Sequence, residues 1–308
     1  MSSLSNVWFR ALRSGAKPLR RIYWASRAIA LGRAQSWRHV GGKFYMRIDP
    51  ADFMDRSFYF GTYEQHLVRL IAAMVRPGDV CVDVGAHKGF IALHLAAAVG
   101  ERGKVIAFEP DPRAMQALAA NVHRNGFHQV RLFACALGDR DGVCQFVLSR
   151  QLGWSSRFPN DLAKAAVGSM TSVSTKRLDE VLGQEGISPE THELPFIKID
   201  AEGSEPLILQ GARQTLAEFR PAIHIEVNKA SLSAGGFTTD SIEALLRSLD
   251  YELYAIRFLR TGPLLRRRLS FIPIGSLRTD IQGCQDVLAV SSPSPALERV
   301  TCLPELRL

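Results

Sequence analysis

The 308-residue chain lacks most of the features that would declare its class at once. Its five cysteines, Cys81, Cys135, Cys144, Cys284 and Cys302, are odd in number and show neither C-x-x-C nor any Cys/His spacing of a zinc site. A disulfide scaffold is excluded and a reducing, cytoplasmic setting is expected, with Cys81 and Cys135 as small core hydrophobes. No apolar run approaches the roughly 18 residues that a membrane span needs. Neither G-x-G-x-x-G nor G-x-x-x-x-G-K-[ST] occurs, so the usual dinucleotide and triphosphate signatures are missing. There is no internal repeat. Hydrophobic residues make up 46% and charged residues 22%, which excludes wholesale disorder and leaves a globular protein with a substantial core.

Acid is absent before Asp49. Ten bases, from Arg10 to Arg47, precede it, and the other 28 of the 38 face all 30 acids, so the +8 charge belongs to the N-terminal stretch. Val7, Trp8, Leu12, Leu19, Ile22, Tyr23 and Ile29 approximate a helical stripe between the arginines, interrupted at Pro18. Such a stretch suits peripheral association with an anionic membrane, a capping helix with solvated arginines, or an organelle transit peptide. Nucleic-acid binding ranks last, because the body supplies no matching basic groove. The expected division is a basic, partly helical arm over 1–55, a main domain over 56–290 and an irregular tail over 291–308.

Within the main domain, β-branched runs alternate with amphipathic stretches, the pattern of a doubly wound, mostly parallel α/β sheet. Strands are predicted at Val80–Val84, Lys104–Glu109, Val130–Cys135, Phe196–Asp200, Ala222–Val227, Leu253–Arg257 and Val287–Val290. Helices are predicted at His66–Met74, Phe90–Val99, Arg113–Arg124, Glu205–Glu218 and Thr239–Ser248. Cys144–Leu148 and Thr171–Thr175 read as extra strands around a polar loop, Ser149–Ser169. The segment Arg257–Asp280, with Arg260, Arg266, Arg267 and Arg268, reads as a second interruption.

The first strand runs into Asp83-Val-Gly-Ala-His-Lys-Gly89, where glycine allows a tight turn and close approach of a ligand. Glu109 ends the second strand 24 positions after Gly85, near the offset of about 20 at which an acid accepts hydrogen bonds from ribose hydroxyls. Asp83, Glu109, Asp139, Asp200, Glu202 and Glu226 all fall at the carboxyl ends of strands. A rim of carboxylates repels phosphate and suits a cation. S-adenosyl-L-methionine meets that demand, with a ribose for Glu109, an ammonium group near Asp83, and a sulfonium stabilised by opposite charge. The loop Cys135–Asp139 would close over adenine, with Asp139 or a backbone group reading its exocyclic amine, although Asp139 serves equally as a turn residue in Gly-Asp-Arg-Asp-Gly.

The ordered blocks Gly61-Thr-Tyr-Glu64, Asp83–Gly89, Phe108-Glu-Pro110, Ala136-Leu-Gly-Asp139, Arg177-Leu-Asp179, Ile197-Lys-Ile-Asp-Ala-Glu-Gly-Ser-Glu205, Gly211 and Arg220–Glu226 resemble the FkbM family of class I S-adenosylmethionine-dependent methyltransferases. The resemblance spans about residues 56–260 and implies a seven-stranded, Rossmann-like sheet and O-methylation of a hydroxyl on a sugar, glycan or secondary metabolite. His87 departs from the family, whose members often carry Asn there. The cofactor-binding residues expected are Glu64, Asp83, Gly85, Ala86, Gly89, Glu109, Ala136, Asp139 and Asp200. Asp200 and Glu202 are the catalytic candidates, while Glu205, at a helix start, reads as structural. The acceptor expected is a small molecule, a glycan or a lipid-linked saccharide, held by Tyr59, Tyr63, Trp154 and the Ser149–Ser169 loop, with the Arg257–Arg268 segment meeting an anionic substrate. Mg²⁺ on Asp200, Glu202 and Glu226 is the alternative use of the acids; no metal is expected, because the same carboxylates serve the cationic cofactor. A nucleic-acid methyltransferase finds no Asn/Asp-Pro-Pro-aromatic tetrad and no Pro-Cys pair, and a non-catalytic cofactor-binding module is the remaining reading.

Overall fold

The computed structural model describes residues 34–161, 167–261, 266–280, 283–291 and 299. The helical stripe expected between Val7 and Ile29 lies outside them. Contacts divide the chain into two units at Tyr63/Glu64.

The first unit contains an antiparallel hairpin, β1 (Ser36–Val40) and β2 (Phe44–Ile48), and a helix, Phe53–Tyr59. Along β2, Phe44, Met46 and Ile48 are buried while Tyr45 and Arg47 are exposed, the period of two that a strand imposes. Gly41 and Gly42 take positive φ at the turn. Asp52 caps the helix by accepting from Met54 N–H (2.7 Å) and Asp55 N–H (3.3 Å).

The second unit begins at Glu64. Its strands are β3 (Val80–Val84), β4 (Lys104–Phe108), β5 (Val130–Phe133), β6 (Ala136–Leu137), β7 (Gly142–Ser149), β8 (Val167–Lys176), β9 (Phe196–Ile199), β10 (Ala222–Asn228), β11 (Tyr251–Thr261), β12 (Arg266–Pro273) and β13 (Cys284–Ser291). The main sheet has the order β12-β11-β13-β10-β9-β3-β4-β5. Strands β10, β9, β3, β4 and β5 are parallel, whereas β13 runs antiparallel to both β10 and β11. The seven strands expected are present. The eighth, β12, arises where a loop was expected: β11 extends to Thr261 and β12 returns along it in antiparallel register. Leu269 and Phe271 are buried on β12 while Ile272 is exposed, so a strand's alternation lies beyond the arginine run.

All five residues of β3 are buried, as a strand covered on both faces requires. Val82, Val84, Ile106, Phe108, Ile197, Ile199, Ile223 and Ile225 form the centre of the core. β7 and β8 pair as a hairpin joined by β6 in a separate three-stranded sheet, lengthening the two extra strands expected.

One helix departs from its expected course. Glu205–Glu218 is broken into Glu205–Gln210 and Arg213–Phe219. The Gly211 carbonyl turns aside to accept from Asp179 N–H (3.1 Å). The Asp179 carboxylate then caps the second piece through Gln214 N–H (3.2 Å), Thr215 N–H (2.9 Å) and the Thr215 hydroxyl (2.7 Å). Of the tail expected to be irregular, Ser291 ends β13 and Arg299 pairs with Asp79 and Glu193. Among the described residues, no helix is long and apolar enough to cross a membrane.

Candidate active site

The chain leaves β3 towards β4 and leaves β9 towards β10, so the loops after β3 and β9 diverge from adjacent strands. That reversal is where ligands of open α/β sheets bind. Gly85 has φ +73°, and a Cβ there would stand 1.9 Å from the Asp200 carbonyl oxygen. The glycine is therefore required by the approach of the two loops themselves, in addition to any ligand. Gly85 N–H and Ala86 N–H both donate to the Phe108 carbonyl (3.0 and 2.9 Å), which stitches the loop to the end of β4. Gly89 closes the turn onto Ala86 O (2.8 Å), and a Cβ on it would stand 2.4 Å from Leu118 Cδ1.

Glu109 follows β4 directly. Its Oε2 accepts from His87 N–H (2.7 Å) and its Oε1 from Asp111 N–H (2.8 Å). His87 reaches this position with φ 51°, an uncommon conformation for a residue with a side chain. Burial pushes the Glu109 carboxyl up to about 7 in spite of the two backbone donors. Each carboxylate oxygen keeps a second lone pair, so the group is fixed in direction and can still accept ribose hydroxyls.

Beneath the loop, Asp83 is fully buried, and Lys198 Nζ lies 3.4 Å from its Oδ1 and 3.5 Å from Asp200 Oδ2. The same ammonium donates to the carbonyls of Val84 (3.1 Å) and Gly85 (2.7 Å). Burial opposes the Lys198 charge, but Asp200 and Asp83 outweigh it and hold its pKa above the ordinary lysine value. At Asp83, burial wins over the ammonium and raises the carboxyl. Lys198 was not among the expected site residues. Its signal was there: a lysine inside the apolar strand Phe196–Ile199 has to be paired.

Asp200, Glu202 and Glu226 bring carboxylate oxygens within 4.8 Å of one another. Glu202 adopts φ 49° and accepts from Ser231 Oγ (3.0 Å). Burial first, and then Asp200, push its carboxyl up to about 7. Glu226 accepts from Cys284 Sγ (2.9 Å), and repulsion from Asp200 together with burial raises its carboxyl further. The cluster can take up a proton or hold a cation, and its oxygens suit a hard dication as well as a sulfonium. Glu205 turns inward and accepts from Ala201 N–H (3.0 Å) and Gly203 N–H (3.0 Å), which orders the turn carrying Glu202.

The structure thus gathers Asp83, Gly85, Ala86, Gly89, Glu109, Asp200 and Glu202 around one crevice. Glu64 stands against His66, with Oε2 3.1 Å from Nε2, and lies near enough to Asp200 that burial and that charge together raise its carboxyl. Ala136 belongs to β6 in the small sheet, and Asp139 opens onto a groove of about 420 Å³ shared with Pro206, Leu207 and Phe237. The polar loop after β7 is tied to the start of the helix Pro112–Arg124: Ser155 Oγ donates to Asp111 Oδ2 (2.7 Å), and Arg113 donates to Ser149 O (2.8 Å). Trp154 on that loop is exposed.

A parallel sheet with an antiparallel strand inserted before its last expected member, a glycine loop after the first strand and an acid closing the second together define a class I, Rossmann-like methyltransferase. The family described as "Methyltransferase FkbM domain" matches residues 83–253, more than half of the chain. The protein belongs to that S-adenosyl-L-methionine-dependent family. It is 31% identical over 206 residues to the 31-O-demethyl-FK506 methyltransferase FkbM of Streptomyces tacrolimicus, across 54% of this chain and 74% of that protein. It is also 31% identical over 121 residues to a ribosomal protein L11 methyltransferase of Pelotomaculum thermopropionicum, across 39% of this chain and 36% of that one. Among solved structures, methyltransferase FkbM of Methylobacillus flagellatus is similar at a TM-score of 0.40 and 16% identity, covering 89% of this chain and 60% of that chain.

Proposed function

We propose that this methyltransferase acts on a hydroxyl of a saccharide or secondary metabolite, with Asp200 and Glu202 orienting and deprotonating the acceptor. The observation carrying this reading is the Glu202 carboxylate within 4.8 Å of that of Asp200 just after β9, where burial and the Asp200 charge raise its carboxyl to about 7. A base with a pKa near the working pH is the efficient one. The name of the Streptomyces relative, which gives a 31-O-demethyl compound as substrate, supports an oxygen acceptor. A lipid-linked saccharide is the form that the acid-free stretch before Asp49 would suit at an anionic membrane surface.

The fixed Glu109 carboxylate and the glycine loop fit a ribose, and the carboxylates after β9 and β10 fit a cation. When bound there, S-adenosylmethionine supplies an electrophilic methyl carbon on a positively charged sulfur. The residues of this chain do the rest. Gly85 and Ala86, held to Phe108, fix the loop position. Asp200, placed by Lys198, would align the acceptor oxygen, and Glu202 would take its proton during transfer to the donor's methyl carbon. Alignment of this kind contributes roughly 7–11 kcal/mol in well-oriented reactions, and a positioned base about 10²- to 10⁴-fold.

The test is methyl transfer from labelled donor to separated pools of glycans, lipids, metabolites and RNA. Label is expected in a hydroxyl-bearing glycan, lipid or metabolite, and label in RNA alone would overturn the acceptor class. With that acceptor, the rate should rise with pH through about 7, because Glu202 acts ionised. Glu202→Gln should lower kcat by about 10²- to 10⁴-fold and abolish that limb. An unchanged pH profile would remove Glu202 from the role.

A further inference from the structure

Next to the carboxylates lies a second cluster that methyl transfer leaves unused. His224 precedes Glu226 by two positions on β10, so both project from the same face of the sheet. Asp286 on β13 is the cross-strand partner of Glu226 and shares that face. The helix Gln65–Met74 lays His66 against them. The Nε2 atoms of His66 and His224 are 3.3 Å apart. Asp286 Oδ2 stands 3.3 Å from His66 Nε2, and its Oδ1 stands 3.2 Å from His224 Nε2. The two imidazoles are 10% and 3% exposed, whereas Asp286 is 31% exposed, so solvent reaches the cluster mainly at its carboxylate.

Each Nε2 has a single in-plane position, filled by a proton or by a lone pair. Two such nitrogens and a carboxylate converge here from three different elements. A zinc ion held at about 2.0–2.1 Å by tetrahedral ligands sets those ligands about 3.3 Å apart. The two Nε2 atoms already stand at this edge, each imidazole faces its own oxygen of Asp286 at a similar separation, and Glu64 Oε2 adds a further oxygen 3.1 Å from His66 Nε2. Two histidines and one carboxylate are also the ligand set of catalytic zinc sites and of the facial triad that holds non-haem iron. Imidazole selects such ions over Mg²⁺ and Ca²⁺, which take oxygen.

We propose that His66, His224 and Asp286 bind one transition-metal dication of the Zn²⁺ class at the edge of the acceptor site. This departs from the expectation of no metal, which rested on the acids alone. An ion there sets positive charge beside Glu226, and so beside a group of carboxylates that otherwise repel one another. Its open positions offer a Lewis acid to an acceptor oxygen. The competing assignment is a hydrogen-bonded His–Asp–His cluster in which His224 Nε2–H donates to Asp286.

The two assignments separate by titrating the chelator-treated, full-length protein with Co²⁺ alone, followed by its visible d–d absorption, with Zn²⁺ as competitor. One equivalent of Co²⁺ should bind and be displaced by Zn²⁺. Asp286→Asn and His66→Gln should each weaken binding at least tenfold, and the double variant Asp200→Asn/Glu202→Gln should retain it. Thermal melting of each variant establishes that it is folded, and the wild-type titration is decisive by itself if one is not. Absence of a stoichiometric Co²⁺ spectrum would overturn the proposal, as would binding that survives both the His66 and the Asp286 substitutions or disappears only with Asp200 and Glu202. The readout needs neither methyl donor nor acceptor, so it stands apart from the hydroxyl-methylation reading.

Discussion

The two sides of the crevice treat buried carboxylates in opposite ways. After β4, Glu109 receives two backbone N–H groups that the fold holds in place. After β9 and β10, Glu202 and Glu226 receive one hydroxyl and one thiol, and they stand close enough to Asp200 to be repelled by it. The first side is finished by the fold's own backbone hydrogen bonds. The second keeps more negative charge than the Lys198 ammonium neutralises, which a proton, a sulfonium or a metal ion can answer. Lys198 joins them, because its ammonium touches Asp83 below the loop and Asp200 on the rim.

Removing that link should give the largest effect. Lys198→Met leaves Asp83 buried without its cation and should lower stability by about 3–5 kcal/mol, measured by urea unfolding at pH 7. A loss below about 1 kcal/mol would mean that the ammonium does not hold the two sides together. A second effect, smaller for each group taken alone, should appear with pH. Burial raises the carboxyls of Glu109 and Glu205 to about 7, above their unfolded value of 4.5. The folded protein therefore binds more protons than the unfolded chain across that window. Their stabilising contribution is complete below about pH 4.5 and is lost as pH rises through 7, on the order of 3 kcal/mol for each group. Unfolding free energy should accordingly fall between pH 5 and 8, and Glu205→Gln should flatten the slope; an equal slope in the variant would show that Glu205 is not the titrating group.

The finished side was legible in the sequence. A β-branched strand, a glycine turn and an acid at the end of the next strand are local patterns, and the structure keeps their order. The rim was legible as a set of acids, since Asp200 and Glu202 follow β9 in one short motif. What could not be read was pairing through space. Lys198 meets Asp83, and His66 meets His224 and Asp286, only because the sheet sets β3 beside β9 and β10 beside β13. Local pattern also lost to stronger cues in two places. The alternation of Phe44, Met46 and Ile48 was masked by the basic charge around it, and the apolar positions of Leu269 and Phe271 by the arginines before them. The break at Gly211 followed from Asp179, a partner on another element.

Calorimetric titration with S-adenosyl-L-methionine, of the wild type and of Glu109→Gln, bears most directly on the crevice as the seat of the methyl donor. The wild type should bind one equivalent, and the variant should bind about 10- to 100-fold more weakly, or about 1.4–2.8 kcal/mol, through loss of a charged acceptor for the ribose hydroxyls. Equal affinity in the two proteins would place the donor elsewhere and contradict the assignment of Glu109 and the loop beside it.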